Sequence, residues 1–244
     1  MKLQRIAIAA LLLASVAACQ ADDRSASASF NASATTDYRY RGISQSRLKP
    51  ALQGGLDLAT AAGLYAGAWA SSIRWIEDAG GDANMELDLY GGYKTEVAHQ
   101  ISLDAGLLHY RYPSHRLGVS PDTTELYLSL GKGPVTVKYS HAVSNLFGFV
   151  DSKNSGYLDL SATVDLGDGW TLTPHAGHQR VAGNGIYSYA DYSLAVAKAF
   201  GPWSLGAAVV AADTRQIGGT SVYVSPSGED LGKPGIVFSA RFSR

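Results

Sequence analysis

Residues 30–41 read Phe30-Asn31-Ala32-Ser33-Ala34-Thr35-Thr36-Asp37-Tyr38-Arg39-Tyr40-Arg41. Phe30, Ala32, Ala34, Thr36, Tyr38 and Tyr40 form one face that runs from apolar to aromatic. Asn31, Ser33, Thr35, Asp37, Arg39 and Arg41 form the other, from polar to charged. A period of two marks a β-strand with two different environments. It recurs where Met85, Leu87 and Leu89 oppose Glu86, Asp88 and Tyr90, and where Leu158, Leu160, Ala162, Val164 and Leu166 oppose Asp159, Ser161, Thr163 and Asp165.

Followed along the whole chain, the pattern predicts about 12 strands, near 27–41, 50–60, 63–74, 84–97, 100–112, 122–131, 134–146, 155–167, 170–181, 187–200, 203–214 and 234–243. An even number is what a bacterial outer-membrane barrel requires, and strands of roughly 10 to 14 residues cross a bilayer when tilted. Soluble sandwich strands are usually about 5 or 6 residues long.

Connector lengths point the same way. Tight ones at Ala61-Ala62, Ala98-His99, Lys132-Gly133, Asp168-Gly169 and Gly201-Pro202 alternate with long ones at 42–49, 75–83, 113–121, 147–154, 182–186 and 215–233. Short periplasmic turns and longer external loops are the habit of transmembrane barrels, so both chain ends are expected in the periplasm. Tyr65, Trp170, Phe200 and Trp203 by the tight turns, and Tyr38, Tyr40, Trp75, Tyr110, Tyr112, Tyr187 and Tyr189 toward the long loops, suggest two interfacial girdles. Two local breaks in the pattern are Pro174, which withdraws an N–H from a ladder, and a slip between Leu107 and Tyr110 that suggests a bulge near Gly106.

The first residues, Met1-Lys2-Leu3-Gln4-Arg5, are followed by the apolar run Ile6 to Ala18 and small residues. This is a secretory signal peptide, taken as residues 1–21 with cleavage near 18–21, and the barrel occupies 22–244. Val16-Ala17-Ala18-Cys19 resembles a lipoprotein box, which makes Cys19 a candidate for lipidation. A cut after Cys19-Gln20-Ala21 removes it instead. Cys19 is the only cysteine, so disulfides and thiolate metal sites are excluded on either path. No stretch reaches the roughly 18 apolar residues of a transmembrane helix.

The blocks Asp37-Tyr38-Arg39-Tyr40-Arg41-Gly42-Ile43-Ser44-Gln45-Ser46, Pro50-Ala51-Leu52-Gln53-Gly54-Gly55, Gly63-Leu64-Tyr65-Ala66-Gly67-Ala68-Trp69-Ala70-Ser71 and Glu86-Leu87-Asp88-Leu89-Tyr90-Gly91-Gly92-Tyr93-Lys94 resemble the TorF-type porin family of proteobacterial outer-membrane proteins. The resemblance implies an outer-membrane barrel of channel function with no established substrate. The chain departs from many outer-membrane barrels at its end, where Phe242 is followed by Ser243-Arg244.

The fold expected is therefore all-β, a transmembrane antiparallel up-and-down barrel. Its pore-lining candidates are Asp37, Arg39, Arg41, Glu86, Asp88, Lys94, Asp104, Glu125, Lys138, Asp159 and Asp165. Mixed charge in a confined lumen sets solute preference, or else pairs internally and fills the barrel. Barrels of about 8 strands are packed solid and those of 16 or more leave a channel, so size alone leaves both outcomes open. Arg39, Arg41, Arg47 and Lys49 suggest a positive outer mouth.

The function expected is passive diffusion of small polar or charged solutes. The alternatives are a non-conducting structural or adhesive barrel and a barrel phospholipase; a soluble β-sandwich is the alternative fold. A serine–histidine pair on one strand needs even spacing, and Ser140-His141 and His141 to Ser144 lack it. His175 and His178 lie on opposite faces, so neither a metal site nor a cofactor is expected. With 20 basic and 21 acidic residues, no global field favours nucleic acid. The partners expected are outer-membrane lipids and lipopolysaccharide, small solutes and the barrel insertion machinery.

Overall fold

A computed structural model of the chain describes residues 26–97 and 100–244. The export segment with Cys19 and the expected turn at Ala98-His99 lie outside them. The strands are β1 Ser27–Thr35, β2 Ala51–Ala59, β3 Leu64–Ser72, β4 Met85–Val97, β5 Ile101–Arg111, β6 Thr123–Lys132, β7 Val135–Ala142, β8 Gly156–Ala162 with its continuation Val164–Gly167, β9 Trp170–Arg180, β10 Tyr189–Phe200, β11 Trp203–Asp213 and β12 Gly235–Ser243. Each pairs antiparallel with its neighbour in sequence, and β1 pairs with β12 from Asn31↔Ser243 to Thr35↔Ser239. The sheet is a closed barrel of 12 strands, which leaves no edge with unpaired backbone groups.

The break in β8 has a local cause. The register that pairs Ser161 with His175 resumes with Val164 opposite Leu172, which sets the gap against Pro174. Proline has no N–H to donate there. The expected bulge near Gly106 is absent, because β5 keeps one continuous register with both neighbours. Instead Leu107 faces outward and Leu108 is buried inside, where the lumen is filled.

Side-chain alternation sorts the two faces. Leu126, Leu128 and Leu130 on β6, Leu158 and Leu160 on β8, and Tyr192, Leu194 and Val209 on β10 and β11 are about half exposed on the outside. Their strand neighbours Glu125, Ser161 and Asp191 are buried within. This inverts a water-soluble barrel. An apolar belt around a polar interior is what hydrocarbon surroundings select, with the strand N–H and C=O groups turned to one another in the ladders. At the short-turn end Phe242 packs between Phe30, at 5.8 Å, and Trp203, at 5.2 Å, across the β1–β12 seam.

Short and long connections alternate around the barrel. The described chain begins and ends at the short-turn end, where the Phe30 N–H donates to the Arg244 carbonyl at 2.8 Å.

The first strand departs from expectation. It leaves the wall after Thr35, and residues 37–46 turn into the lumen. The Asp37 carboxylate organises the turn by accepting from Arg39 Nε at 2.5 Å, Ser44 Oγ at 2.6 Å and Ser46 Oγ at 3.1 Å. A small hairpin pairs Arg39–Tyr40 with Ile43–Ser44. Its two central residues, Arg41 and Gly42, both have positive φ (46° and 80°), the geometry of tight hairpin turns. Gly42 is required twice over, because a Cβ there would meet Cβ of Asp191 at 2.6 Å. Alternation alone could not reveal this: a strand facing lipid and a hairpin buried in a polar lumen share the same period.

Candidate functional site

The hairpin spans the lumen from β1 to the far wall. Arg41 Nη1 and Nη2 donate to the two carboxylate oxygens of Glu125 on β6, at 3.0 and 2.6 Å. Nη1 also donates to Gln179 Oε1 on β9, at 2.6 Å. The guanidinium carbon lies 4.2 Å from the ring centroid of Tyr157 on β8 and 4.8 Å from that of Tyr40. Arg39 Nη1 holds the base of the loop by donating to the carbonyls of Gly42, Leu231 and Lys233. The loop is thus anchored by charge-assisted bonds at both ends of the crossing.

Outside this crossing the barrel is packed. Tyr38, Trp69, Ile73, Ile76, Leu108, Tyr110 and Tyr112 form a buried cluster, joined by Trp75 from the single helical turn α1, Trp75–Asp78, and by Phe147. Tyr38 and Tyr112 donate to the buried Glu86 carboxylate at 2.6 and 2.8 Å, and the hydroxyls of Tyr40 and Tyr110 meet at 2.7 Å. Burial, with the Glu86 carboxylate, pushes the Tyr38 phenol above its ordinary range, so it stays a neutral donor. The expected outer girdle is therefore largely an interior plug. Trp170, Phe200 and Trp203 do face outward by the short turns, but Tyr65 does not.

On the inner side lies a cavity of about 860 Å³ lined by charged, hydroxyl and small apolar residues. Its lining runs from the short turns at Gly133-Pro134, Asp168-Gly169 and Gly201-Pro202 up to the crossing loop at Asp37 to Gly42 and to Tyr110 beside it. The cavity hugs the wall of small and hydroxyl residues from β8 to β12. The opposite wall is filled by tyrosines that lie over glycines: a Cβ on Gly92 would meet Tyr65 Oη at 2.6 Å, and one on Gly106 would meet Tyr127 Oη at 2.5 Å. Tyr90 donates to Asp57 and Tyr65 to Asp104, each at 2.5 Å, and the Tyr65 and Tyr127 hydroxyls are bonded to one another. At the head of the cavity His175 Nε2 lies 3.0 Å from Asp159, and Nδ1 lies 3.6 Å from Asp191.

The predicted lining residues occupy several different places. Asp37, Arg39 and Arg41 are inside, on the crossing loop rather than on the first strand. Glu86 and Asp88 lie in the packed outer half, and Asp88 Oδ1 has no partner. Lys94 is paired across the ladder with Asp104, which accepts from Tyr65. Lys138 sits 4.1 Å over the Tyr127 ring, and Asp159 holds His175. Asp165 lines the inner mouth and accepts the Gly167 N–H at 2.8 Å. Only Arg41 and Glu125 of the set are brought together across the lumen.

The positive outer mouth does not form from its arginines. Arg39 and Arg41 are buried and paired, and Arg47 is bonded to Asp78. Among the described residues no serine hydroxyl is bonded to a histidine ring; His175 has Ser161 and Ser193 as cross-strand neighbours but turns to carboxylates.

Sequence reading weighed His175 only as a metal ligand and missed Tyr157, Gln179, Asp191 and Asp57. Tyr157 shares the inward face of Asp159, and Gln179 that of His175, so same-face spacing was an available signal. Which strand stood opposite Arg41 was not.

A family model described as a bacterial protein of unknown function, Gcw_chp, matches residues 20–242. No curated protein matches the chain in sequence. Among solved structures, a NanC porin superposes with a TM-score of 0.53 at 9% identity, covering 89% of this chain and 100% of that one. A membrane protein studied for in-meso crystallization also gives 0.53, at 6% identity, covering 89% and 83%. OprD from Pseudomonas aeruginosa gives 0.40 at 13% identity, covering 80% and 58%. At these identities the likeness is one of fold.

Proposed function

For a chain that belongs to the Gcw_chp family, whose description states no function, we propose a gated outer-membrane channel for passive diffusion of small polar or charged solutes. The observation that carries this reading is the cavity of about 860 Å³, with charged and hydroxyl side chains in its lining, that meets a loop pinned across the lumen by side-chain bonds. The barrier is this hairpin with its ion pair, together with the aromatic cluster packed outside it; both are made of side chains and loops that can rearrange while all 12 strands stay paired.

The apolar belt and the strand closure support a membrane location, and the porin-like fold supports the outer membrane. In this reading residues 1–21 direct export, the short turns and both termini are periplasmic, and the long loops face outward. The resemblance of residues 37–46 and the three other blocks to TorF-type porins supports the same assignment.

The purified barrel, reconstituted in planar bilayers, should give discrete conductance steps separated by long closed periods. A second reading, a non-conducting structural or adhesive barrel, is favoured by the packing of Ile76, Ala142 and Leu146 in the outer half. Silence from the wild type and from variants that cut the loop's anchor would support that reading and end the channel proposal.

A further inference from the structure

We propose that Glu125, Gln179 and Tyr157 form a receptor for a guanidinium group, that Arg41 fills it from within the chain, and that solutes bearing a guanidinium compete with Arg41 for it. The consequence for gating rests on the channel reading; the binding itself does not.

The geometry is specific to that group. Two terminal nitrogens of Arg41 reach both oxygens of one carboxylate, and one of them also reaches the Gln179 amide oxygen. A planar fork satisfies this arrangement, whereas an ammonium, as a point charge, cannot meet both oxygens in parallel. The Tyr157 ring, 4.2 Å from the guanidinium carbon, offers the π face that a planar cation stacks on. Arg41 Nε, where the side chain joins the loop, makes none of these bonds, so a free guanidinium or an alkylguanidinium presents everything the wall uses.

Two of the three wall groups are held independently of Arg41, and Glu125 also accepts from Tyr110 at 3.4 Å. Gln179 Nε2 donates to the Gly156 and Arg180 carbonyls at 3.2 and 3.1 Å, which fixes the direction of Oε1. Tyr157 Oη is held by the Asp191 carboxylate at 3.0 and 3.2 Å and lies 3.2 Å from His175 Nε2. The three receptor residues come from β6, β8 and β9, whereas Arg41 arrives on a loop with its own hairpin. Acceptors carried by the wall around a cation carried on a separate loop describe a binding site occupied by a tethered ligand. Arg41 and Tyr157 both line the cavity that opens at the short turns, whereas Glu125 and Gln179 lie behind Arg41, so a solute in that cavity meets the two acceptors once Arg41 withdraws.

The tether sets the competition. Even a short flexible linker gives an effective concentration of about millimolar order, and this hairpin is held by Asp37 and Arg39, so free guanidinium must exceed that range to displace Arg41 in the wild type. Removing the Arg41 side chain vacates the receptor. Full-length barrel carrying Arg41→Ala, in detergent micelles at constant ionic strength, is titrated calorimetrically with guanidinium, ammonium and sodium chlorides. Guanidinium should bind saturably and at least about tenfold more tightly than ammonium or sodium, the worth of one charge-assisted hydrogen bond. Adding Glu125→Gln to Arg41→Ala should abolish that binding.

Absent saturation, or equal binding of the three cations, overturns the proposal. If Arg41→Ala does not fold, Arg41→Lys decides: it keeps the charge without the fork, and guanidinium should bind it at least about tenfold more tightly than it binds the wild type. Equal binding to the two overturns the proposal. A barrel that binds guanidinium but never conducts refutes the channel reading alone, and one that conducts without binding refutes this site alone.

Discussion

Truncating Arg41 while Glu125 keeps its charge should unlatch the lumen. The two side chains are 7% and 3% exposed, so the pair is desolvated on both sides. Breaking one half of such a pair costs about 3–5 kcal/mol, because the remaining carboxylate is left buried and uncompensated. Once the loop swings away, water in the cavity can hydrate Glu125, so the whole penalty falls on the pinned state. At 1.4 kcal/mol for each power of ten, Arg41→Ala should raise the ratio of released to pinned loop by roughly two to three and a half powers of ten. Single-channel recordings in planar bilayers read this ratio as the fraction of time open. Replacing both partners by apolar residues of similar volume, Arg41→Met with Glu125→Leu, removes the stranded charge and should leave the barrel closed nearly as often as the wild type. An open fraction unmoved by Arg41→Ala would show that release of the loop does not open the lumen while Trp69, Tyr110 and Tyr112 stay packed. A double variant as open as the single one would show that the penalty was misassigned to Glu125.

Two further changes test the walls. Leu194→Arg, on a side chain 52% exposed in the apolar belt, should lower unfolding stability by about 2–4 kcal/mol in lipid if it sits near the bilayer midplane, measured from urea unfolding in vesicles; an unchanged midpoint would place that face in water. Gly92→Val should cost about 1–3 kcal/mol in the same assay, since even a Cβ meets the Ala105 carbonyl oxygen at 2.5 Å and the Tyr65 hydroxyl at 2.6 Å. No loss there would mean that the Tyr65 ring is free to leave its position over the glycine.

The strand pattern was legible because a barrel wall separates two solvents. Leu158 and Leu160 against Asp159 and Ser161, or Leu126 and Leu128 against Glu125 and Tyr127, record that separation residue by residue, and the alternation of short and long connectors follows from an up-and-down path. At residues 37–46 this reasoning reached its limit. The period of two continued through Tyr38 and Tyr40 because a hairpin inside a polar lumen obeys it as well as a strand in the wall does. Aromatics expected at an interface, such as Tyr110 and Tyr112, proved to be interior packing for a related reason: composition near a strand end does not say which side of the wall the ring takes.

By itself, then, the sequence determined the closed antiparallel barrel and the charged character of its interior, because both depend on neighbours along one strand. The tertiary structure alone decided that Arg41 meets Glu125, Gln179 and Tyr157, that His175 lies between Asp159 and Asp191, and that the lumen is filled outside the loop and open within it. These contacts join residues separated by up to 138 positions. They follow from the circumference of the closed barrel and the reach of one loop across it, which no local period encodes.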